Sequence, residues 1–168
     1  IGLILIYRLG LRALRRRAER APSAAASTPG QSDKLNATEL ERYARHIMLR
    51  EIGGVGQKKI KQAKILVIGA GGLGAPALQY LAASGVGTIG VIDDDLVENS
   101  NLQRQVIHQD AAIGTPKVFS AQTMMLAQNP YIDIRPYHRR FTKDIAAELC
   151  GEFDLLLDGS DNFDTRYL

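Results

Sequence analysis

A doubly wound, mostly parallel α/β sheet is the architecture this sequence predicts, on three observations. Apolar, β-branched runs alternate with helix-prone stretches from Lys64 onward. A glycine turn, Gly69-Ala-Gly71-Gly72-Leu-Gly74, separates the first run from the first stretch. Finally, Asp93 and the segment Gly159-Ser-Asp161-Asn162 stand at the carboxyl ends of the second and fourth runs. In open sheets of this kind, ligands sit in the crevice beyond those strand ends.

The unit Lys64 to Arg104 organises the rest. Lys64-Ile-Leu-Val-Ile68 reads as a buried strand, and Ala75-Pro-Ala-Leu-Gln-Tyr-Leu-Ala-Ala83 as a helix that stops at Gly85-Val-Gly87. Thr88-Ile-Gly-Val-Ile92 is the second strand. Gly69 and Gly71 let the backbone turn tightly and approach a ligand, and Gly74 lets the helix lie close to the strand. Unpaired N–H groups at the helix start then face an anion. Asp93, about twenty residues on, suits ribose hydroxyls. The strand, turn, helix and acid together point to a nucleotide, without saying which.

With 168 residues, 45% hydrophobic and 23% charged, the chain has the composition of one globular domain plus a tail. The net charge of +3 is unevenly placed: residues 1–34 hold seven Lys or Arg against two acids, so the remainder carries a net of −2. That balance does not support nucleic-acid binding by the folded part. Cys150 is the only cysteine, which excludes an internal disulfide or multi-cysteine zinc site in this chain and suits a reducing, cytoplasmic location.

The chain opens on Ile and ends inside a helix-like stretch, so it reads as a fragment. Ile1-Gly-Leu-Ile-Leu-Ile-Tyr7 is too short to span a bilayer, but it runs into Arg8, Arg12, Arg15, Arg16, Arg17 and Arg20. Residues 1–20 are therefore read as the end of a membrane helix with a basic cytoplasmic flank, which would anchor the protein to the inner membrane. A basic interfacial helix, an organellar targeting peptide and a stretch without a role stand beside that reading. Residues 21–34, rich in Pro, Ser, Ala and Thr, read as a flexible linker, and the folded domain as 35–168.

Within that domain, Thr38-Glu-Leu-Glu41 has capping-box spacing, and Leu40, Tyr43, Ala44, Ile47 and Met48 repeat as a buried helical stripe. Arg42, Arg45 and Arg50 then fall on a solvated face. Gly53, Gly54 and Gly56 are expected to break the chain before a short basic helix, Gln57 to Gln62. Residues 94–105, acidic and rich in amides, read as a loop at the binding edge. Thr115 and Pro116 are expected to cap and open a helix with Val118, Ala121, Met124 and Met125 buried, ended by Asn129-Pro130. Lys117 opposes the dipole at that helix start and so hints at an anion. Ile132 to Tyr137 is a third strand, Thr142 to Leu149 a helix stopped at Gly151, and Asp154 to Asp158 a fourth strand.

Glycine N–H groups, Asp93, Arg104, Lys117 and Asp161 thus collect on one edge. Two cations and a metal-holding carboxylate suit a nucleoside triphosphate under attack better than hydride transfer by a nicotinamide enzyme. Arg42-Tyr-Ala-Arg45-His-Ile-Met-Leu, the glycine turn, Asp93 followed by Asn101-Leu-Gln-Arg-Gln105, Gly114 with Lys117, and Asp161-Asn162 with Thr165-Arg166 resemble the ThiF/MoeB/HesA family. These E1-like enzymes adenylate the C-terminus of ubiquitin-like sulfur carrier proteins. The resemblance covers residues 35–168 and implies a ThiF-type, Rossmann-like nucleotide-binding fold, cut short at its C-terminal end.

It implies ATP and Mg²⁺ as cofactors. Gly72 would contact phosphates, Asp93 the ribose, and Asn101, Arg104 and Lys117 the triphosphate, with Ser100, Leu102 and Gln103 in the same segment. Asp161 would coordinate Mg²⁺ with Asn162 beside it, although Asp161 as a helix cap and Ser100 as a turn residue are the plain readings. Arg45 resembles the arginine that such enzymes insert into a partner's site, which implies a homodimer and displaces its solvated reading. The carrier would end in Gly-Gly, as a molybdopterin-synthase small subunit or a ThiS-like protein does. Zinc would come only through cysteines beyond Leu168, and Cys150 is expected to be a small buried residue. His46, His108 and His138 are read as structural or surface residues. A non-catalytic nucleotide-binding scaffold is the remaining alternative, and a tRNA-modifying dehydratase relative is disfavoured by the Arg-Tyr-Ala-Arg segment.

Overall fold

A computed structural model describes residues 34–160. The expected membrane segment, the linker up to residue 33, Asp161 and Asn162 lie outside the described residues. Three helices, α1 (Ala37–Arg42), α2 (Ala44–Met48) and α3 (Gly53–Gln62), precede β1 (Lys64–Ile68) and α4 (Gly74–Ser84). Then come β2 (Thr88–Ile92), α5 (Lys117–Gln128), β3 (Asp133–Tyr137), α6 (Lys143–Glu152) and β4 (Leu155–Asp158). Short 3₁₀ turns at Asn99–Asn101 and Asp110–Ala112 punctuate the long connection from β2 to α5.

The four strands form one all-parallel sheet in the order β3-β2-β1-β4. The chain builds outward from β1 through β2 to β3, then returns to the opposite side of β1 for β4. The gap above β1 and β4 is therefore the switch point where a ligand crevice opens. Strand alternation sorts the core into two faces. Val67, Ile89 and Val91 pack with Leu78 of α4 and Val118 and Met125 of α5. On the other face, Leu66, Ile68 and Ile92 pack with Leu149 of α6 and with Phe141 and Phe153. Helices on both faces make the sheet doubly wound, as the alternation in the sequence predicts.

Several local expectations need correction. The capping box is Asn36 with Glu39 rather than Thr38 with Glu41: the Asn36 side chain accepts from the Glu39 N–H and the Glu39 carboxylate from the Asn36 N–H. Glu39 is also the buried partner of Lys61, at 2.7 Å, which fixes that register over the alternative two residues later. The single amphipathic helix is two helices broken at Tyr43, whose buried hydroxyl accepts from the Asn129 amide at 2.8 Å. Leu40 and Met48, expected inside, are 48% and 83% exposed. Arg42 is not merely solvated: it donates to the Gln128 carbonyl at 2.7 Å and lies over the Tyr131 ring.

Farther along, Gly54 and Gly56 sit inside α3 rather than breaking the chain. The Thr115 hydroxyl donates back to the Ala112 carbonyl instead of capping α5, which starts at Lys117 with Pro116 as the preceding residue. Gly151 does not stop α6, which runs to Glu152 and ends where Phe153 turns into the core. Cys150 is exposed rather than buried.

Candidate functional site

A crevice of about 650 Å³ opens beyond the strand ends. The turn after β1 forms its floor. Gly69 takes φ +90°, which a side chain would strain, and a Cβ on Gly74 would run into the Gly69 carbonyl oxygen. The chain can reverse here and start α4 against the strand only with glycine at both positions. Gly71 and Gly72 line the crevice at the start of α4, where unpaired N–H groups and the helix dipole favour an anion. The Arg104 side chain runs beside Gly72, with its Cδ 3.6 Å from where a Cβ would stand.

Asp93, at the end of β2, also lines the crevice. Its Oδ2 accepts from the Ala70 N–H at 2.7 Å and its Oδ1 from the Asp95 N–H at 2.8 Å, so the carboxylate braces the turn it faces. Each oxygen keeps a lone pair for a hydroxyl. Asn101, 9% exposed, accepts at Oδ1 from Gln105 Nε2 and donates to Glu98 at 3.2 Å. Lys117 is 4% exposed, and its Nζ lies 2.7 Å from Asp95 Oδ2.

Of the residues expected in the site, Gly69, Gly71, Gly72, Asp93, Asn101, Arg104 and Lys117 line this one crevice. Gly74 shapes it from behind. Ser100, Leu102 and Gln103 lie in the same segment but do not line it: the Ser100 hydroxyl donates to Glu98, and its carbonyl accepts from Arg104. Arg45 is exposed on α2 and is not among the lining residues. Asp161 and Asn162 follow Ser160, which lines the crevice, but are themselves outside the described residues.

The sequence reading missed Asp95, Gln105, Arg139 and Arg140, all of which line the crevice. Gln105 could have been found as the last residue of the Asn101 segment. It is 3% exposed, and its Oε1 accepts no hydrogen bond among the described residues. Arg139 and Arg140 follow β3 and raise the cations around the crevice to four, against the carboxylates of Asp93, Asp94 and Asp95. The ligand oxygens of those three acids lie within 4.8 Å of one another, yet both Asp93 oxygens accept backbone N–H groups and Asp95 holds Lys117. Two of the three carboxylates, those of Asp93 and Asp95, therefore already have partners within the protein.

Beside the turn, His108 is buried, and burial lowers its pKa below the ordinary value for histidine.

Residues 43–168 match the model of the ThiF family. The chain belongs to that family. Among its relatives, the "Probable adenylyltransferase/sulfurtransferase MoeZ" of Mycobacterium tuberculosis is 53% identical over 134 residues, 80% of this chain and 34% of that protein. The "SAMP-activating enzyme E1" of Haloferax volcanii is 51% identical over 80% of this chain and 50% of its own length. The ThiF chain described here thus spans between a third and a half of these relatives. Among solved structures, the E. coli tRNA N6-threonylcarbamoyladenosine dehydratase TcdA in complex with ATP superimposes with a TM-score of 0.72 at 25% identity, covering 77% of this chain and 53% of that one. E. coli MccB with ATP gives a TM-score of 0.64 at 30% identity, covering 73% and 37%. Among the described residues of this ThiF domain, no helix is long and apolar enough to cross a membrane.

Proposed function

We propose that the protein uses ATP to adenylate the C-terminal Gly-Gly carboxylate of a ubiquitin-like sulfur carrier protein. The observation that carries this reading is the convergence of the glycine turn, Asp93, Arg104 and Lys117 on one crevice at the switch point of a ThiF-family fold. The names of the relatives favour an adenylyltransferase over a nicotinamide oxidoreductase.

The phosphates would lie over the N–H groups of Gly71 and Gly72, and the ribose hydroxyls on Asp93. Arg104, Lys117 and the Asn101 amide would neutralise and orient the triphosphate. A carboxylate oxygen of the carrier attacks the α-phosphorus; the bond from that phosphorus to the bridging oxygen breaks, giving acyl-adenylate and pyrophosphate. Positive side chains aimed at the charge developing on phosphorus lower the barrier, because they need little reorganisation as the reaction proceeds. Asp161, the residue after crevice-lining Ser160 in the sequence, would hold Mg²⁺, with Asn162 beside it in the sequence. When bound, the ion would neutralise phosphate oxygens and stabilise the leaving pyrophosphate.

Arg45 would act in the neighbouring copy of a homodimer. Its exposure on α2, a helix that also carries Met48 at 83% exposed, suits a surface that another copy covers. Residues 1–20 would tether the domain to the cytoplasmic face of a membrane through the linker 21–34.

Pyrophosphate exchange into ATP by the full-length protein, with Gly-Gly-ended carriers added one at a time, tests the reading. It predicts carrier-dependent exchange that Arg104→Ala and Lys117→Met abolish. Exchange that survives both substitutions would remove the proposed site, and its absence with every carrier would favour a scaffold.

A further inference from the structure

His108 lies between the two 3₁₀ turns and is 6% exposed, with both ring nitrogens engaged. Nε2 is 2.9 Å from the Ala70 carbonyl oxygen, and Nδ1 is 3.0 Å from the Ser120 hydroxyl. A carbonyl only accepts, so Nε2 carries the proton. In the neutral ring Nδ1 then accepts from Ser120. Burial favours that neutral form.

Ala70 lies in the glycine turn, between Gly69 and Gly71. Its N–H donates to Asp93 and its C=O accepts from His108, so the peptides on both sides are held. No described peptide is cis, and in a trans peptide the N–H points opposite to the C=O. With the Ala70 carbonyl drawn toward buried His108, the Gly71 N–H is turned away from the ring, and Gly71 lines the crevice. Ser120 stands three residues after Lys117 on α5, so the same ring ties the glycine turn to the helix that carries the lysine.

We propose that His108 is a positioning residue for phosphate recognition: it aims the Gly71 N–H at the nucleotide and fixes the spacing between that turn and Lys117, without touching the ligand. This rests on the nucleotide-binding reading above.

The test compares binding of ATP and of adenosine to the full-length protein and its variants by calorimetry. Loss of the clamp in His108→Leu should weaken ATP about three- to tenfold, the range for one misdirected hydrogen bond. Adenosine, which has no phosphates, should stay within about twofold. His108→Gln, which keeps a side-chain donor, should recover most of the loss. If His108→Leu fails to fold, Ser120→Ala removes the hydroxyl partner and should weaken ATP about two- to threefold with adenosine unchanged. Equal losses for ATP and adenosine in the variant, or no loss of ATP affinity in His108→Leu when the wild-type protein does bind ATP, would overturn the proposal. A wild-type protein that binds no ATP would instead sink the nucleotide reading, and this inference with it.

Discussion

Replacing Asp95 with asparagine should tighten ATP binding, because Asp95 holds the ammonium that the phosphates need. Lys117 Nζ lies 2.7 Å from Asp95 Oδ2, and the lysine side chain is 6% exposed against 65% for the aspartate. Two unit charges about 4 Å apart attract by about 4 kcal/mol at an effective dielectric of 20. The exposed carboxylate is strongly screened, which reduces its net hold to about 1 kcal/mol. A phosphate that takes Lys117 must overcome that hold, so removing it should lower the ATP Kd by about fivefold. Calorimetric titration at fixed, low ionic strength reads this directly. In a Lys117→Met background there is no ammonium to release, and Asp95→Asn should then change the Kd by less than about twofold. Weaker ATP binding by Asp95→Asn, or an equal effect in both backgrounds, would refute the competition between carboxylate and phosphate.

Three further outcomes follow from packing and titration. Glu39→Gln strands Lys61, which is 9% exposed against its 2% exposed partner, and should cost about 3 kcal/mol in urea unfolding; Glu39→Leu with Lys61→Met should recover most of that loss. Gly74→Ala drives a methyl into the Gly69 carbonyl and should abolish ATP binding while leaving helical circular dichroism largely intact. His108 is held neutral by burial, so its folded-state pKa lies below the unfolded value of about 6.5. Its contribution to stability is present above pH 6.5 and is lost as pH falls toward the depressed folded value, because the unfolded chain binds the extra proton first. Urea midpoints measured from pH 7.5 to 5.0 should fall less steeply for His108→Gln than for wild type.

What the sequence revealed and what it hid divide along a physical line. Strands β1 and β2, the glycine turn and Asp93 were legible because each rests on local features: a β-branched run, a backbone that needs glycine, an acid at a strand end. The capping box was ambiguous because Asn36-Ala-Thr-Glu39 and Thr38-Glu-Leu-Glu41 carry equivalent signals. Only the long-range pairing of Glu39 with Lys61 chooses between them. Exposure of Leu40 and Met48 was hidden because an apolar stripe does not say whether the same chain covers it. Lys117 was conspicuous in the sequence but Asp95 was not, because their pairing depends on the backbone bridge between Leu96 and Pro116. Arg139 and Arg140 escaped notice because only the return of the chain after β3 brings them to the crevice.

A crystal structure of the full-length protein with a non-hydrolysable ATP analogue and magnesium tests the central claim most directly. The account predicts phosphate oxygens on the Gly71 and Gly72 N–H groups, ribose hydroxyls on Asp93, and Lys117 Nζ moved from Asp95 onto the triphosphate. A nucleotide bound away from the glycine turn, or bound there with Lys117 still on Asp95, would contradict it.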